Sequence, residues 1–262
     1  EPANHCPPLR TMNAITASSW PYPRWIAHRG AGKLAPENTL AAFRLGAQHG
    51  YRMFECDAKL SADGVPFLLH DATLERTTNG RGTGGDLPLG ALAQLDAGSW
   101  HSRAYAGEAV PTLEALARFC IANGYFLNIE IKPTPGQEET TGRVVGETAA
   151  RLWQGQAVPP LFSSFKPDAL AGAQATAAHI PRALLLDTLW DGCLDTARRL
   201  GCVAIVCNHA LWDAALVAQV KDMGMRTLSY TVNDDWAAQR LIALGTDGII
   251  TDRVDLFSPA TP

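Results

Sequence analysis

The chain has no run of about 18 apolar residues, and its longest apolar stretches are broken early by Asp, Gly or Pro, which excludes a membrane-spanning helix. It has no C-x-x-C pair. Its six cysteines, Cys6, Cys56, Cys120, Cys193, Cys202 and Cys207, are scattered through a chain too long to need disulfide staples, so they read as buried free thiols of a reducing, cytoplasmic compartment rather than a periplasmic one. It has no basic stripe: 22 Lys plus Arg against 26 Asp plus Glu leave a net charge of −4, which argues against a nucleic-acid partner. No Gly-x-Ser-x-Gly elbow is present, and Gly30-Ala31-Gly32-Lys33 lacks the spacing of a nucleotide phosphate loop. Residues 1–20 contain no apolar segment of the secretory-signal kind and read as an irregular extension, of which 1–11 lie upstream of the folded pattern. No amphipathic stretch suggests stable membrane association, and nothing speaks to oligomeric state.

From residue 24 onward, short apolar runs alternate with helix-length amphipathic segments. Strands are expected at 24–28, 52–57, 126–132, 161–164, 182–186, 203–207, 226–231 and 247–250. Helices are expected to begin near Thr39, Leu113, Thr141, Asp168, Asp191, Asp213 and Asp234, most of them with a capping residue at the start. Eight strands with intervening helices predict an α/β fold, a (β/α)8 TIM-type barrel, and 262 residues suit one such barrel over 21–262. Residues 58–111 break the rhythm, with an extra strand near 65–70 and four glycines between Gly80 and Gly85. That is too long for a bare loop, so a small subdomain inserted after the second strand is expected over the barrel mouth.

Residues two apart in a strand share a face, so Glu55 and Asp57 project together, as do Glu130 and Lys132 on the third strand. Three carboxylates beside one ammonium require either a hard divalent cation with oxygen ligands or an ion-pair network around Lys132. His28 and His70 close apolar strand-like runs and suit a general base and a general acid, although either alone also reads as a structural histidine. Arg29 offers a planar fork for phosphate oxygens and Lys132 a point charge. His49, His101, His179 and His209 have no second ligand at metal spacing and read as surface or packing residues.

The strings His28-Arg29-Gly30, Pro36-Glu37-Asn38-Thr39, Glu55-Cys56-Asp57, Asp63-Gly64, His70-Asp71, Arg76-Thr77-Thr78 and Ile129-Glu130-Ile131-Lys132 resemble the glycerophosphodiester phosphodiesterases in order and spacing. Ser163-Ser164-Phe165, Tyr230-Thr231-Val232-Asn233 and Asp247-Gly248-Ile249-Ile250-Thr251-Asp252 continue the match, and 20–36 looks especially like the cytosolic bacterial members that accompany glycerol-3-phosphate uptake. The resemblance implies hydrolysis of small glycerophosphodiesters, such as glycerophosphocholine or glycerophosphoethanolamine, to sn-glycerol 3-phosphate and an alcohol. Carried over by position, Glu55, Asp57 and Glu130 become ligands of one divalent cation, Mg2+ ahead of Ca2+, and His28 and His70 the acid/base pair. Arg29 and Lys132 would hold phosphate, with Tyr230 and Phe165 against the substrate; Tyr230 stands where many relatives carry Trp. The competing readings are a phospholipase D-like or C-like phosphodiesterase on lysolipids and a non-catalytic phosphate-binding barrel.

Overall fold

A computed structural model describes residues 15–16 and 19–260, so most of the expected 1–20 extension, and Cys6 with it, lies outside the described residues. The strands are β1 (Trp25–Ala27), β2 (Met53–Leu60), β3 (Pro66–Leu68), β4 (Phe126–Ile131), β5 (Leu161–Ser164), β6 (Arg182–Leu186), β7 (Ala204–Asn208), β8 (Arg226–Tyr230) and β9 (Gly248–Thr251). All but β3 run parallel in the order β1-β9-β8-β7-β6-β5-β4-β2, and the pairing of Ala27 with Phe54 closes the ring into an eight-stranded barrel. The helices are α1 (Leu40–Gln48), α2 (Leu89–Leu92), α3 (Leu113–Asn123), α4 (Glu138–Leu152), α5 (Pro167–Thr176), α6 (Cys193–Arg199), α7 (Ala214–Asp222) and α8 (Asp235–Ala243), and all but α2 connect consecutive barrel strands. Side chains cap α1, α3 and α7: Thr39, Thr112 and Asp213 accept from the amides of Ala42, Ala115 and Leu216.

Alternation along each strand separates two apolar layers. Phe54, Cys56, Ala58, Ile129 and Ile131 point outward and pack with the helices, each full burial of a side chain such as Phe54 contributing about 1.5–3 kcal/mol. Ile26, Met53, Leu161, Leu185, Val206, Leu228 and Ile250 fill the lower barrel interior. The next inward position on those strands is polar: His28, Glu55, Ser163, Asp187, Asn208, Tyr230 and Asp252. The barrel therefore changes from oil to polar groups along its axis, and the polar layer lies at the C-terminal mouth.

Most strand ends differ from the sequence expectation by a residue or two, and the differences at β1 and β2 have local reasons. β1 stops at Ala27 because the backbone turns over after His28, whose amide still donates to the Thr251 carbonyl at 2.9 Å while Arg29 adopts φ 54°. β2 runs on past residue 57 to Leu60, since its end pairs antiparallel with β3, Ala58 opposite Leu68 and Lys59 opposite Phe67. The helix expected near Thr141 begins three residues earlier, at Glu138. Between β3 and α3 the chain packs Phe67, Leu69, Leu74, Leu92, Ala97 and Val110 into a third apolar cluster beside the mouth.

Candidate active site

Glu55, Asp57 and Glu130 meet as the i, i+2 spacing requires. Asp57 lies directly across from Glu130 in the β2–β4 register, and the three carboxylates place oxygens within 4.8 Å of one another. All three are buried. Burial, then the charges of Asp57 and Glu130, push the Glu55 carboxyl well above its usual range, and burial followed by Asp57 pushes Glu130 up to about 8. Asp57 goes the other way: burial would raise it, but Arg29, His70 and the Asn38 amide hold it at about 2. Asp57 Oδ1 is buried without a hydrogen-bond partner. Three crowded carboxylates, one with an orphaned oxygen and with no ammonium among the described residues salt-bridged to them, fit a hard divalent cation better than an ion-pair network. Arg29 Nε, 3.4 Å from Asp57, is the one cationic group paired with them among the described residues.

Two asparagines hold two aspartates by the same device. Asn38 Nδ2 donates to Asp57 Oδ2 at 3.0 Å while its Oδ1 accepts the Asp57 amide at 3.1 Å. Asn233 does the same for Asp252, at 3.0 Å in both directions. Asn38 adopts φ 59°, a left-handed conformation that asparagine tolerates better than most residues. Arg29 has no such excuse, and its positive φ beside the carboxylates is backbone strain stored at the site. Gly32, at φ 61°, lies so close to Asp252 that a Cβ there would run into the Asp252 backbone.

Each histidine is oriented through Nδ1. His28 donates to Asp252 Oδ1 at 2.6 Å and His70 to Asp71 Oδ1 at 2.9 Å, if each ring carries its proton on Nδ1, which leaves Nε2 of both rings for other chemistry. Burial, the largest influence on His70, lowers its pKa and favours the neutral ring. His28, Arg29, Glu55, His70, Asn128, Glu130, Ser163, Phe165, Asp187 and Tyr230 all line one cavity of about 310 Å³. Phe165 and Tyr230 stand edge to face there, centroids 5.7 Å apart, and the Tyr230 hydroxyl reaches Asp187 at 3.2 Å.

Lys132 is placed differently. It lines an adjoining cavity of about 220 Å³ that shares His70, Glu130 and Phe165 with the first, and its Nζ lies 6.0 Å from the Phe165 ring centroid. His49, His101, His179 and His209 line neither cavity; His101 Nε2 instead donates to the Lys33 carbonyl at 2.8 Å. Sequence reasoning passed over Asn38, Lys59, Asp71, Arg76, Asn128, Asn233 and Asp252 as functional groups. Lys59 is buried inside the barrel, donates to the His70 and Lys132 carbonyls at 3.2 and 3.1 Å, and is held down to about 8 by burial. An inward lysine one period beyond Asp57 was the available signal.

Residues 28–256 match the glycerophosphoryl diester phosphodiesterase family. YhdW of Bacillus subtilis is 34% identical over 240 residues, 88% of this chain and 95% of the relative. A glycerophosphodiester phosphodiesterase of Caldanaerobacter subterraneus is 33% identical over 233 residues, 87% of this chain and 93% of the other. Among solved structures, an Oleispira antarctica phosphodiesterase in complex with the product sn-glycerol-3-phosphate superposes with a TM-score of 0.83 at 36% identity, covering 91% of this chain and 96% of that one. With this barrel, this mouth and these relatives, the chain is a phosphodiester hydrolase and belongs to the glycerophosphoryl diester phosphodiesterase family.

Proposed function

We propose that the protein hydrolyses small glycerophosphodiesters, such as glycerophosphocholine and glycerophosphoethanolamine, to sn-glycerol 3-phosphate and the free alcohol. The observation that carries this reading is the convergence of two imidazoles, each anchored by a carboxylate at Nδ1, on one cavity lined by two of the three clustered carboxylates. The product held by the Oleispira antarctica relative supports the same product here. His28 and His70 act as the acid/base pair, one accepting the proton of the attacking oxygen, that of water or of the neighbouring glycerol hydroxyl whose cyclic phosphate water then opens, and the other protonating the departing alkoxide through Nε2. Glu55, Asp57 and Glu130 hold a divalent cation, Mg2+ ahead of Ca2+, as their all-oxygen chemistry suits. Such an ion, when bound, offsets charge on the phosphoryl oxygens.

Arg29 presents its guanidinium to the phosphate from within the cavity, and Lys132 contributes charge from the adjoining wall. Phe165 and Tyr230 form the aromatic side of the substrate chamber. No helix among the described residues is long and apolar enough to cross a membrane. The five described cysteines are buried free thiols, which supports a cytoplasmic location. The test is release of sn-glycerol 3-phosphate from glycerophosphocholine, with and without chelator. We expect release that chelation abolishes and Mg2+ restores; no release with Mg2+ or Ca2+ present overturns the substrate, and full turnover after demonstrated metal removal overturns the cation.

A further inference from the structure

The two groups proposed to act on the phosphate from different parts of the chain, His70 and Arg29, are joined by a continuous chain of charged contacts. His70 Nδ1 meets Asp71 Oδ1; Arg76 Nε and Nη2 take both oxygens of Asp71 at 2.8 and 3.0 Å. The same guanidinium takes both oxygens of Glu37, Nη1 at 3.0 Å and Nη2 at 2.7 Å. Glu37 Oε1 in turn accepts from Arg29 Nη1 at 3.2 Å, and Arg29 reaches Asp57. One arginine thus makes two bidentate carboxylate pairs, an arrangement that a planar fork of donors permits and a lysine ammonium cannot reproduce.

The placement of the partners gives this arrangement its meaning. Glu37 lies in the loop that follows β1, whereas Asp71 and Arg76 follow β3 in the segment that rises beside the mouth. Besides the His101 contact to Lys33, the Arg76–Glu37 pair ties that segment to the β1 loop. His70 and Arg29, at the two ends of this chain of contacts, both line the cavity. Arg76 itself does not line the cavity, and its side chain is 45% exposed. Bidentate pairs joined in a network can add stability as well as orientation, so the two roles are separated by kinetics and not by melting alone.

We propose that Arg76 is a positioning residue for the reaction: by gripping Asp71 and Glu37 at once, it sets the ring of His70 and the guanidinium of Arg29 in register with each other. It acts through those carboxylates and touches no reacting atom. The inference rests on the roles proposed above for His70 and Arg29. It predicts a divided kinetic effect, because disturbing Asp71 misplaces an acid/base group and disturbing Glu37 misplaces a phosphate-binding group.

Steady-state kinetics on glycerophosphocholine, run well below each variant's Tm with folding verified by circular dichroism, test it. Asp71→Asn should chiefly lower kcat and Glu37→Gln chiefly raise KM, while Arg76→Lys should do both, lowering kcat about tenfold or more as a hydrogen-bonded orienting group does. Added to Asp71→Asn, Arg76→Lys should lower kcat less than about threefold further, since residues acting as one unit are not additive. Normal kcat and KM in Arg76→Lys, or penalties that simply multiply in the double variant, overturn the inference. So does failure of both Arg76→Lys and Arg76→Gln to fold, which would make the guanidinium a structural support. His70→Ala in the same assay separates the two levels: full activity there overturns the acid/base reading, whereas its loss alongside a normal Arg76→Lys overturns only the role of Arg76.

Discussion

His28 and Asp252 lie 224 residues apart in sequence and 2.6 Å apart in space, Nδ1 to Oδ1, at the seam where β1 meets β9. Asn233 fixes the carboxylate from its far side, and Gly32 leaves the room that lets the two backbones approach. A histidine whose Nδ1 is held by a carboxylate keeps one tautomer and one ring orientation. Asp252→Asn should therefore keep the packing but lose the anion that selects that tautomer. We expect kcat to fall roughly tenfold to a hundredfold with KM nearly unchanged, the range seen when a hydrogen-bonded orienting group is removed. A normal kcat would show that His28 needs no such partner.

Replacing the rings themselves should cost more. His28→Ala and His70→Ala are each expected to lower kcat by about 10²–10⁴, the usual contribution of a positioned acid or base, with melting temperatures near that of the parent. Both rings line the cavity, His28 at 15% and His70 at 29% exposure, so truncation widens an existing space and does not hollow the packed core. A variant that melts many degrees lower yet turns over normally would mark its histidine as a packing residue.

The carboxylate cluster was readable from the chain because it is local: Glu55-Cys56-Asp57 and Ile129-Glu130-Ile131 carry alternation within single strands, and the parallel register needed only to bring them side by side. The barrel was readable for the same reason, since eight apolar runs and their intervening helices are each defined over about ten residues. The second tier was not. Asp252 under His28, Asn38 on Asp57, and Glu37 on Arg76 are pairings of loop residues with groups on other loops or strands that only the folded barrel brings together. Polar residues in loops look alike in sequence whether they face solvent or a neighbour's side chain. Lys132 shows the converse: its i+2 relation to Glu130 is real, yet the strand ends at Ile131 and the lysine opens into the adjoining cavity.

Asn38 offers a separable test of that second tier. Asn38→Ala removes both hydrogen bonds to Asp57 and leaves its amide and one carboxylate oxygen without these partners inside the barrel. We expect a loss of about 3 kcal/mol, which for a chain of this size is a Tm fall of roughly 6–12 °C. Binding of Mg2+, followed by calorimetry, should weaken by about tenfold to a hundredfold. Unchanged Mg2+ affinity in a destabilised variant would confine Asn38 to the fold.

The raised carboxyls make a prediction about pH whose sign follows from linkage. In the metal-free protein Glu130 titrates at about 8, against an ordinary value of 4.5, and Glu55 is shifted the same way. Between those two values the folded chain holds protons that the unfolded chain has released. The stability these groups contribute is therefore fully present below about 4.5 and is lost as pH rises through about 8. A divalent cation replaces the protons, so its binding should release them and strengthen with pH over the same window. Thermal melts after chelation should show Tm falling from about pH 5 to about pH 8, and added Mg2+ should raise Tm more at the higher pH. Glu130→Gln, which cannot titrate, should flatten the metal-free slope and reduce the Mg2+ effect. A metal-free Tm that climbs through this window as steeply in the parent as in Glu130→Gln would mean that the three carboxylates do not share their charge in the way their 4.8 Å cluster requires.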